Sequence, residues 1–179
     1  MSEENTDTVM ITAADEHIEA LHRLIESAYR GESAKQGWTH EADLLGGQRT
    51  DPDALRSIIA SDDQEILLAM NGSELVGCVQ LSYVRPGLAY LGLLTVNPKL
   101  QSGGLGKVLL SASEQFVREN WQAKSIEMTV IRQRTDLIAY YERRGYVLTG
   151  ERRPFPLENP DFGLPKTSEL EFTVLQKSL

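Results

Sequence analysis

From Leu88 to Asn120 the chain passes through nine almost unbroken apolar residues, a tight turn and a helix opened by glycines. No other stretch limits the fold so strongly. A strand as apolar as Leu88–Val96 has to be covered on both faces, which calls for helices above and below a sheet. Asn97-Pro98 ends the strand, and Gly103, Gly104 and Gly106 open a helix over Gly104–Asn120. Its apolar stripe reads Leu105, Val108, Leu109, Ala112 and Phe116. The first N–H groups of a helix lack intrahelical partners, and the helix dipole favours an anion beside them. Glycines without Cβ atoms let a phosphate approach the backbone, and Lys107 adds a positive charge. Two common phosphate-loop patterns do not fit. Gln101 stands where the first glycine of G-x-x-x-x-G-K-[ST] belongs, and Val108 follows Gly106-Lys107. In G-x-G-x-x-G, Leu109 takes the place of the last glycine. A glycine-rich helix start that serves only tight packing is the structural alternative.

The rest of the chain supplies the other elements. Val9–Ala13 reads as a short strand. Asp15 is an N-cap candidate, and Ile18, Leu21, Leu24, Ile25 and Ala28 recur at helical spacing, with Gly31 as a C-cap candidate. Residues 31–50 show no period and form a long loop with a helical turn expected at Glu41–Leu45. Asp51-Pro52 starts a helix that runs to about Ala60. Asn71-Gly72 marks a hairpin between strands Glu65–Met70 and Leu75–Tyr83, and Arg85-Pro86-Gly87 marks the next turn. Ser125–Ile131 is a strand, Asp136–Arg144 a helix closed by Gly145, and Tyr146–Thr149 a strand. Residues 151–167 hold four prolines and read as a loop before a last strand with alternating Leu170, Phe172 and Val174. The order is mixed α/β: one domain over 9–179, with a frayed segment 1–8.

Charge is uneven along the chain. The net charge is −8, but residues 1–63 carry 14 acids against 5 bases, while the window 98–153 carries 10 bases against 6 acids. The overall acidity argues against nucleic-acid binding, which needs a basic surface. The absence of an apolar run of about 18 residues argues against a membrane span. The acidic Met1-Ser2-Glu3-Glu4 start lacks a signal-peptide pattern, and the lone Cys78 rules out an intrachain disulfide. A cytoplasmic protein with no metal is the expectation.

Gln101-x-x-Gly104-x-Gly106 after Val96-x-Pro98 resembles motif A of the GCN5-related N-acetyltransferases, the GNAT superfamily. Ala139-Tyr140-Tyr141-Glu142-Arg143-Arg144-Gly145-Tyr146 resembles motif B of the same superfamily. The resemblance covers roughly residues 8–150. It implies a mixed sheet of about seven strands, helices on both faces and a splay between the fourth and fifth strands. It implies an acetyl-CoA site in which backbone N–H groups of Gln101, Ser102, Gly103, Gly104, Leu105, Gly106 and Lys107 hold the pyrophosphate. Backbone groups near Leu94 and Val96 would pair with the pantetheine chain, and an N–H near Leu94 would stabilise the oxyanion. Tyr141 takes the place of the tyrosine that protonates the departing thiolate. The family's asparagine seven residues earlier is replaced by Arg134, a candidate to reach a CoA phosphate, and Thr135 is the N-cap candidate.

Attack on a thioester needs a neutral amine, and amines near pH 7 are mostly protonated, so a base is expected. Leu91-Gly92-Leu93-Leu94 holds no acid where many family members place a glutamate. Glu127 is the candidate base. Trp38, His40 and Glu41, in the loop between the first two helices, are candidate acceptor-binding residues, and the loop with Phe155 and Phe162 would close the other side. Cys78 reads as a buried apolar residue. The expected activity is transfer of acetyl from acetyl-CoA to a primary amine of a small molecule or peptide, in a ternary complex, by a monomer or homodimer. A non-catalytic acyl-CoA sensor on the same fold is the alternative reading, and a nucleotide-binding protein unrelated to CoA is the third.

Overall fold

The computed structural model describes residues 8–29, 45–46, 50–100, 104–154, 164–165 and 171–179. Seven strands form one sheet: β1 (Val9–Thr12), β2 (Gln64–Asn71), β3 (Glu74–Arg85), β4 (Leu88–Val96), β5 (Ser125–Ile131), β6 (Val147–Pro154) and β7 (Glu171–Ser178). Their order is β1-β2-β3-β4-β5-β7-β6, antiparallel throughout except for β4 beside β5. Among the described residues four α-helices cover it: α1 (Ile18–Tyr29), α2 (Pro52–Ala60), α3 (Leu105–Trp121) and α4 (Thr135–Arg143). No helix among the described residues is long and apolar enough to cross a membrane.

Each sheet face has its own core. Ile66, Leu68, Cys78 and Leu93 pack with Leu21, Leu24 and Ile25 of α1 and Leu55 of α2. On the other face, Leu67, Ala69, Val79, Leu91, Leu94 and Val96 pack with Leu109, Leu110 and Val117 of α3 and Tyr141 of α4. Residues that alternate along β2 therefore serve opposite layers, which explains its continuous apolar run.

The hairpin turns follow their glycines. Gly72 (φ +62) and Gly87 (φ +85) occupy the left-handed region that other residues avoid. Asn71 pairs with Glu74, so the first turn lies over Gly72-Ser73, one residue later than the dipeptide signal indicates. Asp51 caps α2 as expected, its side chain accepting the Ala54 N–H at 2.8 Å. At α1 the expected Asp15 cap is replaced by a 3₁₀ turn, Asp15–His17, where His17 Nδ1 accepts the Ala14 N–H at 2.9 Å.

Other boundaries shift for physical reasons. Val108 is 44 % exposed, whereas Ser113 and Glu114 are buried. The buried line of α3 runs through Leu109, Leu110, Ser113 and Val117, because the polar members satisfy their own groups. Ser113 Oγ donates to the Leu109 carbonyl at 2.7 Å, and Lys177 Nζ donates to Glu114 at 2.6 Å. Tyr146 OH adds a longer bond to the same carboxylate. Thr135 is the first residue of α4 rather than its cap, a position held by Arg134, whose side chain makes no capping bond. The expected loop over 151–167 is overturned at Glu151–Pro154, which belong to β6 because Arg152 and Arg153 pair with Thr173 and Phe172 of β7, and at Leu164–Pro165, which form a short strand. Strand β7 begins at Glu171 and buries Thr173, Val174 and Leu175 in succession, so it does not alternate.

Gly77 sets how closely α3 lies on the sheet: a Cβ there would meet Leu109 Cδ1 at 2.9 Å and the Thr95 carbonyl at 3.0 Å. Gly77→Val is expected to destabilise the protein by about 1–3 kcal/mol through overpacking, read as a lower urea midpoint at unchanged slope.

Candidate active site

The site begins with an irregularity in β4. Its register with β3 passes from Cys78–Thr95 to Gln80–Gly92, so β4 carries one extra residue. Leu93 lies at φ +51, uncommon for any residue but glycine. The bulge resets the strand's phase: Ala89 and Leu91 face the α3 side before it, Leu94 and Val96 after it. Just before the bulge, the parallel ladder with β5 ends, since Tyr90–Glu127 is its last pair. The two strands then diverge around a cleft of about 500 Å³.

Residues from six elements line this cleft, Phe172 of β7 among them. Tyr29 comes from α1, Leu93 and Leu94 from β4, and Met128 to Ile131 from β5. Leu137 and Tyr141 come from α4, with Arg134 at its start, and Arg153 from β6. Tyr29 donates its hydroxyl to the Leu94 carbonyl at 2.5 Å, and the Tyr90 and Thr129 hydroxyls lie 2.7 Å apart. Tyr141 is 5 % exposed and meets the Tyr140 and Tyr146 rings edge-on. Burial holds its phenol well above the ordinary tyrosine range, the neighbouring Tyr29 and Tyr140 phenols add to this, and Arg134 opposes it. The group therefore stays a proton donor across the physiological range.

The glycine-opened helix starts where the sequence places it. Its N-cap, Gly104, sits at φ +80, and a Cβ there would meet no atom within 4 Å, so the backbone faces open space. Leu105, Gly106 and Lys107 form the first turn, with Gly106 buried and Lys107 exposed. Because α3 follows the C-terminal end of β4, this turn lies at the end of the sheet toward which β4 and β5 spread. Gln101, Ser102 and Gly103 lie outside the described residues, as do Trp38, His40, Glu41, Phe155 and Phe162. A two-residue antiparallel ladder, Leu45–Gly46 with Leu164–Pro165, nonetheless joins the segments that follow α1 and β6.

Glu127 is buried, 8 % exposed, rather than a surface residue. It is not among the lining side chains. Its carboxylate accepts from Arg153 Nη2 at 3.3 and 3.4 Å, and Arg153 also bonds Glu151. Tyr29 and Arg153 are site residues that the sequence reading missed. Tyr29 simply extends the apolar stripe of α1, and Arg153 lies in a stretch read as loop. Cys78 is 1 % exposed, and burial pushes its thiol up to about 12. Among the described residues no group of three or more His, Cys, Asp or Glu could hold a metal ion.

The candidate site thus joins a sheet that opens beside a bulged strand, a glycine-started helix at its mouth and a buried phenol within. The chain belongs to the acetyltransferase (GNAT) family, whose sequence model matches residues 18–146. It is 31 % identical over 117 residues to mycothiol acetyltransferase of Salinispora tropica, a match covering 63 % of this chain and 36 % of that protein. The chain thus spans little more than a third of that relative's length. Among solved structures, an N-acetyltransferase from Staphylococcus aureus Mu50 superposes with a TM-score of 0.72 at 10 % identity, covering 96 % and 97 % of the two chains. PaiA N-acetyltransferase from Thermoplasma acidophilum, in complex with coenzyme A, superposes at 0.66 with 17 % identity, covering 97 % and 99 %. At these identities the likeness is one of fold.

Cys78 is the only cysteine in the chain. Native protein is expected to show no reaction with a chromogenic disulfide reagent over minutes and one thiol per chain once unfolded, because only an accessible thiolate attacks.

Proposed function

We propose that the protein transfers the acetyl group of acetyl-CoA to a primary amine of a small molecule or peptide, directly and in a ternary complex. The observation that carries this reading is Tyr141, a buried phenol held protonated on the wall of the cleft between β4 and β5. The donor is acetyl-CoA, as it is for the family. The cleft, the open backbone at Gly104 and the first turn of α3 suit an extended thioester bearing phosphates. Acetyl-CoA supplies an activated acyl group: its C–S bond breaks as the amine nitrogen bonds the carbonyl carbon.

In this reading Tyr141 gives its proton to the departing thiolate sulfur, and the first turn of α3 binds the pyrophosphate. The Leu94 backbone meets the thioester end of acetyl-CoA, Val96 holds the pantetheine through its backbone, and Arg134, which lines the cleft, reaches a CoA phosphate. Direct transfer is favoured over an acyl-enzyme because the only cysteine is buried and its thiol is pushed up to about 12. Glu127 takes the amine proton through water, with Arg153 between it and the cleft. Trp38, His40 and Glu41 contact the acceptor.

Calorimetry with acetyl-CoA, CoA and ATP, followed by thiol release across an amine panel, tests the proposal. Acetyl-CoA binding with turnover supports it. Binding without turnover on any amine would favour the sensor reading, and no CoA binding would sink both. Tyr141→Phe is expected to lower kcat by on the order of 10²-fold with the KM for acetyl-CoA little changed. Because the phenol is held well above the ordinary 10.0, kcat of the wild type should show no falling limb from this acid up to about pH 10. Glu127→Gln separates base from brace. Loss of a base is rescued at high pH, where the free amine predominates. Loss of the Arg153 anchor lowers the rate equally at every pH.

A further inference from the structure

The bulge leaves Leu94 outside both ladders, since β3 pairing skips it and β5 pairing stops at Tyr90. Beyond the bulge the strand alternates regularly. Asn97 N–H donates to the Val76 carbonyl at 2.9 Å. Thr95 therefore also faces β3, and Leu94 turns its N–H and C=O together toward the splay. Two opposed groups would then meet anything bound there. Tyr29 removes one of them by donating its hydroxyl to the Leu94 carbonyl. The preceding peptide is held as well. Thr95 Oγ1 donates to the Leu93 carbonyl at 2.8 Å, and Cys78 Sγ lies 3.8 Å from the same oxygen. A planar trans peptide points its N–H opposite its carbonyl, so this grip aims the Leu94 N–H away from Cys78.

We propose that Tyr29 and Thr95 are positioning residues that make the bulge a donor-only site. Tyr29 occupies the Leu94 carbonyl, Thr95 orients the Leu93–Leu94 peptide, and the Leu94 N–H alone is presented to the acyl carbonyl. The inference rests on the acetyl-CoA reading above. An oxygen that gains negative charge is stabilised by a fixed donor, and an uncovered carbonyl beside it would repel it. The bulge conformation, with Leu93 at φ +51, persists because both hydroxyls brace it. Tyr29 and Thr95 are themselves buried, so neither brace competes with water.

Tyr29→Phe and Thr95→Val delete one hydroxyl each at nearly constant volume, and Thr95→Ser retains it. For each variant, Tm, calorimetric affinities for CoA and acetyl-CoA, and kcat and KM are measured. In Tyr29→Phe and Thr95→Val, kcat is expected to fall on the order of 10- to 100-fold, and the preference for acetyl-CoA over CoA should shrink. Affinity for CoA itself should hold, and Thr95→Ser should behave as wild type. Wild-type kcat in both deletion variants overturns the inference. So does a fall in kcat matched by equal losses of CoA affinity and Tm, which marks a merely structural brace. A wild type that binds no CoA overturns the donor reading and this inference together. CoA binding that persists while kcat ignores the hydroxyls overturns this inference alone. Should Tyr29→Phe fail to fold, the Thr95→Val and Thr95→Ser pair tests the same peptide.

Discussion

The structure depends on one broken ladder. A parallel pair of strands at the centre of a sheet normally keeps its hydrogen bonds to the end, because unpaired buried backbone groups are costly. Here β4 and β5 stay together for three residue pairs and then part. The extra residue at Leu93 turns β4 away from the regular register, and the hydroxyls of Tyr29 and Thr95 bond the Leu94 and Leu93 carbonyls, the two that flank the Leu94 Cα. The cleft is what this arrangement leaves open. Two cores, one on each face, keep the strands from closing again.

Support for the opening comes from both layers. On one face α1 reaches across so that its last described residue, Tyr29, touches β4. On the other, α3 lies close to β3 because Gly77 has no side chain to hold it off. Helix α3 is also fastened to β7 through Lys177, whose ammonium bonds the buried Glu114 carboxylate, to which the buried Tyr146 hydroxyl also donates. Tyr141, the proposed proton donor, sits where these constraints meet. Tyr141 is buried by the same α4 packing that closes the cleft, and burial is the largest cause of its raised pKa.

The charge pattern finds a place in this architecture. The basic window 98–153 spans α3, β5, α4 and β6, the elements beside the cleft, and Arg134 and Arg153 line it. Arg153 is answered by Glu127 and Glu151, so it braces the wall. Lys107 is exposed on the first turn of α3, where a positive charge favours an anionic partner.

The sequence alone determined the succession of elements, the turns and the helix start, because glycine conformational freedom, proline geometry and apolar periodicity are local properties of the chain. Gly104, Asp51-Pro52 and the Leu88–Val96 run announce themselves within a few residues. The motif residues Tyr141 and Gly104 were legible for the same reason. Only the tertiary structure decided the bulge, since an uninterrupted apolar run conceals a change of phase between Leu91 and Leu94. It also decided that Ser113 and Glu114 are buried while Val108 is exposed, because the partners that satisfy a polar group lie far along the chain, as Lys177 does from Glu114. Tyr29 joins the site across 65 residues of sequence, through one hydrogen bond to Leu94. Such a contact has no periodicity and no motif. It exists only once α1 has packed on its face of the sheet and β4 has been bent to meet it.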